Sequence, residues 1–136
     1  MLTQSKALGT DDAVTTCDCC GRSNLKFTVV IELPSGEVVH YGQVCATRNT
    51  GKTRPQLNAE MKSHHGEQRA AARRAFQAHP AYLAERARFA ERDRLPVRLL
   101  GRVAADFVRA ARDAADEACR EVVARFAGVT YGEVRS

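Results

Sequence analysis

Four of the five cysteines in this chain fall in one stretch of its first third: Cys17, Cys19 and Cys20 in TTCDCCGRSNLKF, then Cys45 in HYGQVCATR. The C-x-x-C step from Cys17 to Cys20, followed at once by Gly21, has the make-up of a metal-binding turn. Two thiolates can converge on one ion, and glycine lets the backbone turn tightly enough for amides to face the sulfurs. The odd cysteine count argues against a disulfide framework, because the adjacent Cys19 and Cys20 cannot easily serve separate bridges. The chemistry expected is therefore a structural Zn2+ held by Cys17, Cys20 and Cys45. A closed zinc shell needs a fourth donor. His40 is the first choice, since its spacing to Cys45 places two ligands on either side of a turn that contains Gly42; Cys19, His64 and His65 are its rivals. Cys119, between Ala118 and Arg120, reads as a small apolar core residue.

The elements that must position these donors follow from pattern. Residues 1–13 are polar, lack periodicity and carry Gly9, so they read as a flexible arm. Leu25 to Leu33 is rich in β-branched and aromatic residues, Pro34-Ser35-Gly36 supplies a turn, and Glu37 to Tyr41 returns, which predicts a β-hairpin. Gly42 ends the second strand, and Gln43 to Asn49 can form a helical turn with Cys45 near its start, where unpaired amides favour a thiolate. A zinc-finger domain is thus expected over residues 14–54 and a helical region over 55–136. Within the latter, helices are predicted from Gln56 to Ala78 and from Ala81 to Arg94, broken at His79-Pro80, with a second break at Leu95-Pro96. From Val97 to Ala127 the apolar positions Leu99, Val103, Phe107, Ala111, Ala114, Ala118, Val122 and Phe126 recur at helical spacing up to Gly128. Phe76, Leu83 and Phe89 are candidate partners for this alanine-rich stripe in a helical hairpin; the alternative is a homodimer through the same stripe.

The order of knuckle, β-hairpin and helix start resembles the treble-clef class of zinc fingers. That resemblance implies an α+β fold in which the hairpin folds the knuckle against the helix, so that Cys17, Cys20 and Cys45 meet at one ion. The usual second ligand pair at the helix start is missing here, because Gln43, Ala46, Thr47 and Arg48 offer neither thiol nor imidazole. The string CxxCGR, a hairpin and YGxxCA also resembles small zinc-finger proteins of actinobacteria and their bacteriophages. This likeness covers Cys17 to Arg48, through Cys17, Cys20, Gly21, Arg22, Gly42, Cys45 and Ala46, and implies no particular activity. Cys19 departs from the simple pattern.

At 136 residues the chain has room for one domain, or a small one with a helical extension. It contains no run of eighteen or more apolar residues and no charged-then-apolar leader, so neither a membrane span nor a secretory signal is expected, and the cytoplasm is the default compartment. Arg supplies seventeen of the twenty-one basic residues, a bias that suits a GC-rich genome. The net charge of +5 is unevenly placed: residues 54–102 hold eleven basic and five acidic side chains, while the flanking segments are nearly balanced.

No motif for catalysis emerges. His65-Gly66-Glu67 satisfies the H-x-E of zinc deaminases, but it follows the cysteines and lacks the accompanying P-C-x-x-C. Gly51-Lys52-Thr53 matches only the end of a phosphate loop. The leading expectation is therefore a zinc-stabilised nucleic-acid-binding accessory protein whose middle segment meets phosphates through Arg69, Arg73, Arg74, Arg86, Arg88, Arg92 and Arg94. The alternative is a protein-interaction module, such as one docking a host factor, with zinc as scaffolding.

Overall fold

The computed structural model of the protein describes residues 4–96 and 102–135. It is a mixed α+β structure with a three-stranded antiparallel sheet in the order β1-β2-β3 and a set of helices. The predicted hairpin forms β2 (Thr28–Glu32) and β3 (Val38–Tyr41), with Val30 opposite His40 and Ile31 opposite Val39. Its turn closes through the Leu33 amide, which donates to the Glu37 carbonyl at 2.8 Å, and Gly36 supplies the positive φ of 89° that the reversal requires. The alternating apolar side chains of the strands send Val29, Ile31 and Val39 to the buried face.

The expected flexible arm is instead partly a strand. β1 (Lys6–Asp11) pairs with β2, with a register shift between Ala7 and Gly9 that marks a bulge. The bulge and the small residues blur the period-two signal, and the forces that hold β1 come from far along the chain. Lys52 Nζ donates to the Ser5 carbonyl at 2.5 Å and to Glu60 Oε2 at 2.6 Å, while the Ala7 amide donates to Glu60 Oε1 at 3.3 Å. The lysine of Gly51-Lys52-Thr53 is therefore engaged in anchoring an edge strand.

Helix α1 (Gln43–Thr50) starts at Gly42 and ends at Gly51, whose φ of 70° is the left-handed stop expected of a helix C-terminus. Helix α2 (Arg54–Gln77) begins with a reciprocal cap that TRPQ encodes: the Gln56 amide donates to Thr53 Oγ1 and the Thr53 amide to Gln56 Oε1. Two compact units divide at Glu67 and Gln68, not at the expected boundary near residue 54. The reason is Leu57, which is buried in the same cluster as Ala7, Val29, Ile31, Val39 and Ala46, so the first part of α2 completes the N-terminal core.

The second unit contains α3 (Pro80–Asp93), α4 (Arg102–Ala124) and α5 (Tyr131–Arg135). The break at His79-Pro80 is a helix start: His79 Nδ1 accepts the Ala81 amide at 3.0 Å and Pro80 occupies the first turn. Ala115, Ala118, Cys119 and Val122 of α4 form one buried cluster with Ala72 and Phe76, joined by Val129 and Val134. The alanine stripe is thus packed within the chain, and Cys119 is a core residue as its neighbours suggested. Ala114 is exposed, so the buried stripe is offset from the expected one. Val97 and Leu99, at the expected start of this helix, lie outside the described residues. Among the described residues no helix is long and apolar enough to cross a membrane.

α5 was not expected, although TYGE repeats the capping signature: the Thr130 amide donates to Glu133 Oε1 and the Glu133 amide to Thr130 Oγ1. Arg135 anchors it by pairing with both carboxylate oxygens of buried Glu85 and, at 2.8 Å, with Asp116, which also accepts the Tyr131 hydroxyl proton at 3.0 Å. Removing Arg135 strands a charge that is 5% exposed, so Arg135→Met is expected to cost about 3 kcal/mol in urea denaturation. The hydrogen bond from Arg135 holds the Asp116 carboxyl below its ordinary value of 3.8, outweighing the opposing effect of burial. Its ionised form is thus favoured by folding, and that contribution is complete above the ordinary value and lost as pH falls through the folded one. A pH series of denaturation midpoints should show a shallower loss below pH ~4 for Asp116→Asn than for the parent chain.

Candidate metal centre

The cysteine turn is built by its own backbone. The Cys17 amide donates to the Arg22 carbonyl and the Gly21 amide to the Cys17 carbonyl, each at 2.9 Å, and Gly21 takes a φ of 76° that a side chain would resist. The turn is fastened to β3 at one residue. Asp18 donates its amide to the His40 carbonyl at 2.7 Å, and its carboxylate accepts the His40 amide at 2.8 Å. Behind it, buried Thr28 donates its hydroxyl to the Val14 carbonyl at 2.9 Å, tying the incoming segment to β2. The far side is closed by α1, and Gly42 allows the approach: a Cβ there would stand 3.4 Å from Leu25 Cδ1 and 4.0 Å from Cys17 Sγ.

These contacts bring the sulfurs of Cys17, Cys20 and Cys45 within 4.8 Å of one another. Cys17 and Cys45 are buried and Cys20 is exposed, and all five cysteines are free thiols. Sulfurs bound at about 2.3 Å to one tetrahedral ion stand about 3.8 Å apart, so small side-chain rotations suffice to coordinate a metal. Burial works to raise the Cys17 thiol, but the amides of Cys20, Gly42 and Cys19 directed at its sulfur prevail and bring it down to about 7. Cys45 is pushed up to about 12, first by hydrogen bonding with Cys20 and Cys17 and then by burial. A divalent cation bound among these sulfurs would displace their thiol protons.

His40, the first choice for the fourth donor, is not brought to this cluster. Its Nε2 stands 3.3 Å from Asp11 and its Nδ1 3.9 Å from Asp18. The reason is strand alternation together with the Asp18 clasp, which turn the ring toward carboxylates that the sequence places far away. Cys19 is not among the three converging sulfurs either, but Asn49 ties it to α1: Asn49 Nδ2 donates to the Cys19 sulfur at 3.3 Å and to the Cys45 carbonyl at 2.8 Å. His64 and His65 lie on α2 and do not join the cluster, and His64 Nδ1 is buried without a hydrogen-bond partner.

The seven arginines assigned to phosphates are divided by the structure. Arg69 pairs with Glu133 at 3.8 Å, and Arg73 donates to the Glu133 carbonyl at 2.6 Å. Arg88 pairs with Glu91 and lies 3.9 Å over the Phe107 ring, and Arg92 pairs with Asp93 and covers Phe89. Arg74, Arg86 and Arg94 are exposed, and their side chains make no hydrogen bond or ion pair among the described residues.

The same cysteines line a recess of about 470 Å³ that no local pattern announces, because its walls come from the knuckle, the approach to β2 and α1. His40→Ala should leave metal stoichiometry unchanged, whereas Asp18→Ala should weaken metal binding about fivefold, the equivalent of one lost hydrogen bond, in competition with a chromophoric chelator.

No protein-family model, curated protein or solved structure matches this chain, so the chemistry of the site rests on its own residues.

Proposed function

We propose that the N-terminal unit is a treble-clef-like finger closed by one structural zinc ion, and that the protein is a nucleic-acid-binding accessory protein. The observation that carries the reading is the convergence of the Cys17, Cys20 and Cys45 sulfurs at the junction of knuckle, β3 and α1. Thiolates are soft donors that suit zinc, and Cys19 supplies the fourth position, since Asn49 holds its sulfur at α1 while donating to the Cys45 carbonyl. Such a closed shell stabilises a fold and leaves no position for substrate. The likeness to small actinobacterial and phage zinc fingers belongs to this reading.

The nucleic-acid assignment is supported by the net charge of +5 and by exposed arginines whose side chains make no hydrogen bond or ion pair among the described residues. Phosphate is the ligand that such forks recognise best. Elemental analysis of the native protein should return about one zinc per chain, and Cys19→Ser should lower the affinity by at least tenfold. Well-folded protein without metal would overturn the zinc assignment. In mobility-shift titrations the zinc-loaded chain should bind oligonucleotides at about 50 mM salt and release them as salt rises. Absence of any shift there would dispose of the nucleic-acid reading.

A further inference from the structure

The cations best placed for a nucleic acid lie beside the cysteines, outside the arginine-rich segment. Arg22, Lys26 and Arg48 line the 470 Å³ recess, together with Leu25, Phe27 and Val44. All three cationic side chains are exposed and make no hydrogen bond or ion pair among the described residues. Among the described residues no carboxylate lines the recess. Charges that stabilised the fold would have partners, as Lys52 has in Glu60 and Arg135 in Glu85. These three do not.

The apolar floor has the same one-sided character. Val44 is 60% exposed on the first turn of α1, and Phe27 and Leu25 are half-buried at the approach to β2. A large aliphatic side chain left open at a helix start, next to an aromatic ring, is a surface for a flat apolar group. Its volume falls in the range of pockets that enclose small molecules, about 300–1,000 Å³, which is enough for a nucleobase.

We propose that this recess is the single-strand site of the protein: one unstacked base enters against Phe27, Leu25 and Val44, and the flanking phosphates rest on Arg22, Lys26 and Arg48. The combination of a stacking ring with cations tracking the backbone is how proteins hold single strands without reading sequence. A duplex cannot supply the base, because its bases are stacked inside. Even beside a zinc tetrathiolate, whose own charge is negative, three unpaired cations leave the mouth of the recess positive. The site would be assembled by the metal, since Cys17, Cys20 and Cys45 form one of its walls. This inference rests on the nucleic-acid reading above and relocates its binding surface.

Fluorescence anisotropy on the full zinc-loaded chain tests it, with a labelled 12-nucleotide single strand, the matching duplex and decaglutamate as probes. The single strand should bind at least tenfold more tightly than the duplex. The triple variant Arg22→Ala, Lys26→Ala, Arg48→Ala should lose at least tenfold in affinity and flatten the salt slope by about 2, while keeping its zinc. Val44→Asp, an exposed change that places a carboxylate at the mouth, should lose a similar factor. Arg74→Ala, Arg86→Ala, Arg94→Ala removes the same number of charges from the helical segment and should cost less affinity than the recess triple. If the helix triple loses binding and the recess triple does not, nucleic-acid binding stands and the recess assignment falls. Tighter binding of decaglutamate than of the oligonucleotide overturns it in favour of an acidic peptide, and absence of binding to either nucleic acid overturns both readings.

Discussion

Crowded sulfur is the constraint on which the N-terminal unit is organised. Thiols from the two ends of a hairpin meet where burial opposes their ionisation, while backbone amides at Cys17 favour it. Such an arrangement is poor in the absence of a cation and strong in its presence, because a divalent ion replaces thiol protons with coordinate bonds. The supporting contacts are arranged for that meeting. Gly21 turns the knuckle, Asp18 clasps it to β3, Thr28 holds its approach, and Gly42 lets α1 come close enough for Cys45 to reach.

The C-terminal unit depends on different physics. Its core is small aliphatic side chains around Phe76, which packs edge-on against Tyr82 at 5.0 Å, and the buried charge of Glu85 is neutralised by Arg135. Alanine permits close helix packing but buries little area per residue. The ionic anchor of α5 therefore carries weight there that a larger apolar core would make unnecessary.

Legibility in the sequence tracked the range of the forces. The hairpin, α1, the start of α3 and the burial of Cys119 are set by neighbours a few residues apart, and all could be read from pattern. β1 could not, because Lys52 and Glu60 hold it from across the unit and its bulge erases the alternation. The domain boundary moved for the same reason, through Leu57. α5 was legible in principle from the Thr130–Glu133 cap, but five residues give no periodicity to confirm one. At the site, Cys17, Cys20 and Cys45 converge as their spacing implied, whereas the direction of the His40 ring depends on Asp11 and Asp18, which no spacing rule connects to it. The arginines followed the same division: composition located the basic segment but could not tell which guanidinium groups were already committed to Glu133, Glu91 or an aromatic face.

The Asp18 clasp has one more consequence. β3 lies at the edge of the sheet, and at His40 its outward amide and carbonyl are both taken by Asp18. An edge strand with free polar groups is a template on which another chain can add a strand. The knuckle thus acts as a lid on that template at His40, held by the Asp18 clasp and by the meeting of its sulfurs with Cys45. Loss of a metal held by those sulfurs would then do more than loosen a loop: it would uncover VVHY, a short β-prone segment, and turn a folding defect into self-association.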